Sequence, residues 1–172
     1  MNDKPAVIYL RKAIFQYFPE VAFHWAAKFN VAHPNAPRQN ENHPSHGVGG
    51  FVNRNTEHGN RSAHADGRAA DIYVKIQNPL LKAIGDTLFA RFISNAPALG
   101  VEEVIWNRQI WSKTAPRIHP YDGREKHEDH VHLAFTTASC QRQPVMLDAI
   151  LKQARKDVDT QFGFTSAPLQ LP

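Results

Sequence analysis

The chain has 172 residues, of which 42% are hydrophobic and 21% are charged, and this composition predicts one folded domain with a buried core. Its single cysteine, Cys140, excludes an intramolecular disulfide and a cysteine-rich zinc module. The net charge of +4 suits a polyanionic partner, but the 20 Lys and Arg residues are spread along the chain, which disfavours nucleic acid as that partner.

No stretch of the sequence is long and apolar enough to span a membrane. The N-terminal segment lacks the features of a signal peptide, because Arg11 and Lys12 interrupt its apolar stretch and no small-residue cleavage site follows. We therefore expect a protein that is made in the cytoplasm. If its substrate lies outside, delivery requires a secretion system, a holin, another route without a signal peptide, or a leader that is missing from this sequence.

The first predicted element is a helix over residues 4–18. Its apolar residues recur at three- and four-residue steps, at Val7, Leu10, Ile14 and Phe18. Pro5 suits the first turn of this helix and Pro19 ends it. Residues 21–32 are compatible with a strand followed by a turn, but their periodicity does not decide between structures.

A polar segment over residues 33–62, rich in Asn, Gly, Pro and His, predicts a long loop with a short strand at Gly50–Val52, and loops of this length in compact domains are usually functional or disordered. Residues 69–75 predict a strand. The clearest helix covers residues 79–96, which have one apolar face and Asn78 in the N-cap position.

A hairpin is predicted next. Residues 101–106 and 109–112 indicate two strands around a tight turn at Asn107–Arg108. Residues 113–127 predict a second polar loop. Residues 130–136 then predict a strand, because apolar residues alternate along them.

The chain closes with a predicted helix over residues 144–155 and a loose tail over residues 157–172. We therefore predict a single domain over residues 1–156 followed by a flexible C-terminal tail. The order of helices, strands and loops predicts an α+β protein with a small antiparallel sheet.

Two segments carry the candidate chemistry. The first reads Ser-Ala-His-Ala-Asp-Gly-Arg-Ala-Ala-Asp over residues 62–71, and the second reads His-Glu-Asp-His-Val-His over residues 127–132. Each lies where a polar loop meets a predicted strand. A catalytic zinc site needs about three His, Asp or Glu ligands and one position open for water. His64, Asp71 and one histidine of the His-Val-His strand would supply this set.

The spacing within the segments indicates how these side chains meet. The step from His64 to Asp71 is too long for one strand face, so we expect a turn at Asp66–Gly67, which the glycine permits. His130 and His132 lie two residues apart and share one face of a strand, while the valine between them enters the core.

Hydrolysis by a zinc-activated water needs a carboxylate that accepts the proton of that water and later protonates the leaving amine. Asp129, three residues before His132, is the candidate. Glu128 has the same chemistry, but alternation along an extended chain points it away from Asp129. A neutral or protonated His130 or His127 would stabilise the oxyanion.

The two segments resemble the motifs of the D-alanyl-D-alanine metallopeptidases, a zinc group that includes carboxypeptidases, vancomycin-resistance dipeptidases, phage endolysins and the Hedgehog signalling domain. Their patterns are Ser-x-His-x-x-Gly-x-Ala-x-Asp and a later Asp/Glu-x-x-His that often ends in His-x-His. The matching residues are Ser62, His64, Gly67, Ala69 and Asp71 for the first pattern, and Asp129, His130 and His132 for the second. The resemblance covers about residues 60–136, and residues 100–112 also look like the strand pair of related cell-wall hydrolase domains.

The resemblance implies Zn²⁺ on His64, Asp71 and His132, with Asp129 as the general base and with His130 and His127 lining the site. It implies a peptidase that cleaves peptidoglycan stem-peptide bonds involving D-amino acids, as a carboxypeptidase or an endopeptidase. It also implies a Hedgehog/DD-peptidase fold with helices flanking the sheet. Such an enzyme would act in the periplasm or cell wall as a monomer, with an immunity or delivery partner if it is an effector.

One departure from the family concerns the substrate end of the site. Many members carry an Arg within a Ser-Gly-Tyr-Arg-like segment, and this sequence has no such segment. Arg54 and Arg61 are the candidates by position, and Arg38 is a third. Ser62 is expected either beside the substrate or in support of the backbone around the site.

Two further hypotheses remain. A zinc-binding recognition module of the same fold would bind metal without catalysis, although the intact base and the open ligand position argue against it. A metal-dependent nuclease toxin is suggested by the basic composition, but the strand-like context of residues 130–136 disfavours a helix-containing metal finger.

Overall fold

The computed structural model describes residues 2–23, 47–50, 52, 55–56 and 61–164. Within these ranges a six-stranded antiparallel sheet carries helices, which confirms the predicted α+β class. In chain order the elements are α1 (Pro5–Tyr17), β1 (Val48–Gly49), β2 (Ala69–Tyr73), α2 (Pro79–Ser94), α3 (Ala96–Leu99), β3 (Val101–Trp106), β4 (Gln109–Ser112), β5 (Ala115–Pro120), β6 (His130–Phe135), a 3₁₀ turn (Ser139–Gln141) and α4 (Leu147–Phe162). The strands are ordered β1-β2-β6-β3-β4-β5 across the sheet.

Helix α1 forms where the apolar period predicts it, and its buried face includes Val7, Leu10 and Ile14. Pro19 does not simply end this helix. Residues 19–23 are again helical, so the strand considered for residues 21–32 is wrong in its described part. A proline fits the first turn of a helix as well as the position after one, which explains the difference.

Strand β1 lies at Val48–Gly49 rather than at the predicted Gly50–Val52. Val48 pairs with Ile72 of β2, and its side chain is buried. The alternative Val52 is about half exposed, so burial selects the earlier valine. The predicted strand over residues 69–75 is confirmed as β2, which ends at Tyr73.

Helix α2 and the following hairpin match their local signals. The Asn78 side chain accepts a hydrogen bond from the backbone N–H of Leu81, which makes it the N-cap of α2. Asn107 and Arg108 both have positive φ, of 46° and 64°, as the tight turn between right-twisted strands requires.

The sequence predicts a loop over residues 113–127, but part of this segment forms strand β5. It pairs antiparallel with β4 at the edge of the sheet, and most of its residues are exposed or half-buried. An edge strand of this kind has no alternating apolar pattern, so hydrophobic periodicity does not predict it. Its prolines are compatible with an edge position.

Strand β6 lies between β2 and β3, and all six of its residues are buried. Its alternation places Val131, Leu133 and Phe135 in the hydrophobic core with the helices. His130 and His132 are therefore on the opposite face of the sheet, as predicted.

The last helix corrects the predicted C-terminal boundary. Helix α4 begins at Leu147 and ends at Phe162, whereas the sequence predicted residues 144–155 and a tail from residue 157. Val158 is fully buried, so the final turns of α4 belong to the core of the domain. None of the described helices combines the length and apolarity that a membrane span requires.

A contact between α2 and β3 offers a test of this core. A Cβ at Gly85 would lie 2.5 Å from Cζ2 of Trp106, a buried side chain whose Nε1 donates to Asp86. In Gly85→Ala we expect a net loss of unfolding free energy of about 1–2 kcal/mol, because overpacking outweighs the roughly 1 kcal/mol gained in helix propensity. Urea unfolding measures this change.

Ala90 lies on the exposed side of the same helix. The stability lost in Ala90→Gly therefore measures the difference in helix propensity between Ala and Gly without any change in core packing. If Gly85→Ala raises the unfolding free energy by as much as Ala90→Gly lowers it, the close contact between Gly85 and Trp106 is wrong.

Candidate metal centre

Three side chains predicted as metal ligands meet on the face of the sheet opposite the helices. Asp71 of β2 and His132 of β6 are direct partners in the antiparallel register, which brings their side chains together. His64 precedes β2 in a turn over residues 63–67 rather than on a strand. This turn is closed by hydrogen bonds from Gly67 N–H to His64 O and from Arg68 N–H to Ala63 O.

Gly67 makes the turn possible. Its φ is +69°, and a Cβ there would lie 2.2 Å from the carbonyl oxygen of Asn2. The Gly67 carbonyl also accepts a hydrogen bond from Lys4 N–H, immediately before α1. The N-terminal segment thus holds the turn that presents His64, and only glycine fits at its tightest point.

The ligand atoms form a compact triangle. Asp71 Oδ1 lies 3.1 Å from His64 Nε2 and 2.9 Å from His132 Nδ1, and the two histidine nitrogens are 3.2 Å apart. A tetrahedral ion with bonds of about 2.0–2.1 Å separates neighbouring ligand atoms by about 3.3 Å. His64, Asp71 and His132 can therefore hold one metal ion between them.

The protonation states of this triangle also suit a cation. His64 Nδ1 lies 2.8 Å from the carbonyl oxygen of Gly50, which can only accept, so Nδ1 donates there and Nε2 is the atom left to face the triangle. Burial raises the pKa of Asp71, but hydrogen bonds and charge interactions with His132 and His64 outweigh it and hold that pKa well below its ordinary value. Asp71 is therefore a carboxylate, the form that binds metal.

A cavity of about 540 Å³ opens onto the triangle. Its lining residues are Asn55, Thr56, Ser62, Ala63, His64, Glu103, Ile105, Tyr121, Asp122, Gly123, Arg124, Glu125, His127 and His132. Since the cavity reaches His64 and His132, a small molecule has access to an ion held there. Ser62 accepts a hydrogen bond from Ala65 N–H at 3.1 Å, so it supports the turn that carries His64.

His127 lies in this cavity and close to the ligands, as predicted. Its ring centroid is 5.9 Å from that of His132, and its backbone is in the left-handed region with a φ of 51°. Burial, reinforced by the neighbouring His130 and His132, lowers the pKa of His127 to about 4. Its Nδ1 donates to the carbonyl oxygen of Glu125 at 2.8 Å, so Nε2 of the neutral ring is a hydrogen-bond acceptor and not an oxyanion donor.

Asp129 and His130 form a hydrogen-bonded pair next to the triangle and outside the cavity lining. The Asp129 carboxylate accepts from His130 Nδ1 at 2.8 Å and is about half exposed. His130 is buried, with Nε2 3.8 Å from Oδ1 of Asp71. Neither residue lines the cavity, and together with Glu125 they form a second group of nearby ligand-type atoms.

Of the predicted substrate arginines, Arg61 lies in the described part of the chain and is not brought to the cavity. Arg61 pairs with Asp66 and with the carbonyl oxygen of Ala65, and it does not line the cavity. Arg54 and Arg38 lie outside the described residues.

Two residues that line the cavity, Arg124 and Glu103, are not predicted as site residues by the sequence. Arg124 lies in the predicted polar loop, and Glu103 lies in a strand whose outward residues look like a solvated face.

A comparison with protein families gives a match over most of the chain. A family model described as "VldE, C-terminal domain" matches residues 4–132, about three quarters of the chain, from the start of α1 to the last candidate ligand. No curated protein and no solved structure matches the chain. The expected relationship to the D-alanyl-D-alanine metallopeptidases and to the Hedgehog/DD-peptidase fold stays a prediction.

The metal centre can be tested without knowledge of the substrate. After treatment with a chelator and gel filtration, the protein should bind one zinc ion per chain in a calorimetric titration. His132→Ala should weaken this binding by at least about 100-fold, since it removes one of three ligands from a site whose outer partners alone contribute about 10–100-fold. His119→Ala, at a histidine of β5 outside the triangle, is the matched control and should bind as the parent does.

Equal zinc affinity in the His132→Ala and His119→Ala proteins would show that the triangle is a hydrogen-bonded network and not a metal centre.

Proposed function

The chain belongs to the VldE C-terminal domain family, and we propose that it is a zinc-dependent peptidase that cleaves peptidoglycan stem-peptide bonds involving D-amino acids. The observation that carries this proposal is the triangle of His64, Asp71 and His132 at the end of an accessible cavity. Three protein ligands with room for water are the requirement of a catalytic zinc site, whereas a structural site is closed by four.

The donor set favours zinc among the common ions. Two imidazoles and one carboxylate suit zinc and other first-row transition metals, while Mg²⁺ and Ca²⁺ prefer oxygen ligands. The triangle offers a single carboxylate oxygen close to both histidine nitrogens. This composition makes Zn²⁺ the proposed cofactor.

When bound, zinc would acidify a water molecule and polarise the scissile carbonyl group. In our proposal Asp129 takes the proton from the attacking water and transfers it to the leaving amine. Because about half of its side chain is exposed, Asp129 has the rotational freedom to leave His130 during this transfer. His127 Nε2 accepts a hydrogen bond from a substrate N–H in the cavity, since its neutral ring carries the proton on Nδ1.

The peptidoglycan substrate is supported by the resemblance of residues 62–71 and 129–132 to the D-alanyl-D-alanine metallopeptidase motifs. The cavity is compatible with it, because about 540 Å³ accommodates a short peptide. Its rim carries charges of both signs at Asp122, Arg124 and Glu125, and stem peptides likewise carry carboxylates and amines. In this proposal the enzyme acts in the periplasm or cell wall and trims or opens stem peptides there.

A non-catalytic zinc-binding recognition module is the second candidate. The position of Asp129 favours it, because that carboxylate accepts from His130 and lies outside the cavity lining. This arrangement would bind metal and a peptide without a base beside the bound water. The two candidates differ in whether Asp129 contributes to the release of peptide fragments.

Digestion of purified peptidoglycan, followed by mass spectrometry of the released fragments, separates these candidates. The zinc-loaded protein should release stem-peptide fragments. Asp129→Asn should retain zinc but lower the turnover rate by about 10²–10⁴-fold, the usual contribution of a general base. Glu128→Gln, which changes the neighbouring carboxylate that pairs with Arg108, should leave the rate unchanged.

Fragment release that is equal in the Asp129→Asn protein and its parent contradicts the assigned mechanism. A zinc-loaded parent that releases no fragment from any stem peptide supports the recognition module instead.

A further inference from the structure

A β-bulge in β3 decides which face of the sheet Glu103 lies on. The register between β3 and β6 pairs Val101 with Phe135 and Glu103 with Ala134, so β3 contains one extra residue at this point. Without it, alternation would place Val101 and Glu103 on the same face of the sheet. With it, Val101 stays in the core while Glu103 and Ile105 line the cavity.

Glu102, the extra residue, takes no part in the cavity. Its carboxylate accepts a hydrogen bond from Arg68 Nη1 at 2.8 Å. Bulges are frequent beside functional sites because they redirect a side chain without breaking the sheet. Here the redirected side chain is the carboxylate of Glu103.

Glu103 faces the far side of a candidate ligand. The His132 ring presents Nδ1 to the triangle and Nε2 to Glu103, whose Oε1 lies 3.7 Å away. When Nδ1 of a neutral imidazole binds a metal, its proton resides on Nε2. At 3.7 Å the contact is longer than a hydrogen bond, and the Glu103 side chain, which is 35% exposed, would have to turn toward Nε2 to reach about 2.8–2.9 Å, the length of a charge-assisted hydrogen bond.

The second histidine ligand shows the same arrangement. His64 points Nε2 to the triangle, and its Nδ1 donates to the Gly50 carbonyl oxygen at 2.8 Å. Metal-binding histidines commonly donate their second N–H to a carbonyl or carboxylate oxygen, which fixes the tautomer and strengthens the ligand. Each histidine of the triangle therefore has an oxygen atom opposite its ligating nitrogen.

We propose that Glu103 is a positioning residue of the metal centre, which orients His132 and fixes its proton on Nε2. The inference rests on the metal centre of the proposed function and does not depend on which bond is cleaved. Glu103 acts through His132 and is not assigned a contact with the substrate.

Zinc affinity, measured by competition with a chromophoric chelator, tests this role independently of catalysis. Glu103→Ala should weaken zinc binding by about 10–100-fold, the usual effect of losing such a partner. Glu103→Gln keeps an acceptor oxygen without its charge and should fall between the Ala variant and the parent. Glu102→Gln, one residue away on the same strand, should bind zinc as the parent does, and urea unfolding of the zinc-free proteins checks that all variants fold.

Nitrogen-15 NMR of the histidine rings gives a second readout. In the zinc-loaded parent, His132 should show a protonated Nε2, and exchange of this proton with water should be faster in Glu103→Ala. Unchanged zinc affinity in Glu103→Ala overturns the inference.

The possible failures are distinguishable. A parent that does not bind zinc overturns both the proposed function and this inference. A parent that binds zinc and cleaves peptidoglycan, with Glu103→Ala at full affinity, overturns the inference alone. Lost affinity in Glu103→Ala together with no cleavage by the parent supports the inference and contradicts the peptidase.

Discussion

The candidate metal centre depends on the contact between Asp71 and His132, which the pairing of two strands creates. The two residues are direct partners across β2 and β6, and both side chains are largely buried. A buried carboxylate is costly unless it is paired, and here two histidines stabilise its charged form. The sheet and the turn before β2 therefore bring one carboxylate and two imidazoles together, and a bound cation would stabilise this arrangement further.

The contact between Asp71 and His132 depends on the pairing register of β6. One face of β6 packs in the core and the other carries histidines. Val131, Leu133 and Phe135 fill the core, while His130 and His132 face away from the helices. A slip of one residue would exchange the two sets, so the hydrophobic core itself selects the register that presents His132. The bulge in β3 reverses the alternation after Val101, so that Glu103 and Ile105 line the cavity while Val104 lies in the core. The packing of the β6 core residues therefore also determines where the His132 ligand lies.

The features that the sequence predicts well are those with local causes. The Asn78 cap and the turn at Asn107–Arg108 depend on neighbouring residues. Two short motifs contain the candidate ligands, and the family resemblance implies His132 as the third of them. The features that the sequence misses depend on distant contacts. The edge strand β5 is defined by its pairing with β4, and the end of α4 at Phe162 by the burial of Val158. Glu103 reaches the cavity only through a bulge, and the Asp129 carboxylate is directed by its bond to His130, neither of which spacing along the chain specifies.

X-ray absorption at the zinc edge, on protein loaded with one equivalent of the metal, tests the central claim most directly. The account predicts four nitrogen or oxygen ligands at about 2.0–2.1 Å, with outer-shell scattering from two imidazole rings. Replacement of His64 by alanine should reduce that scattering to one ring. A six-coordinate oxygen shell, or a spectrum without imidazole scattering, would contradict a zinc ion held by His64, Asp71 and His132.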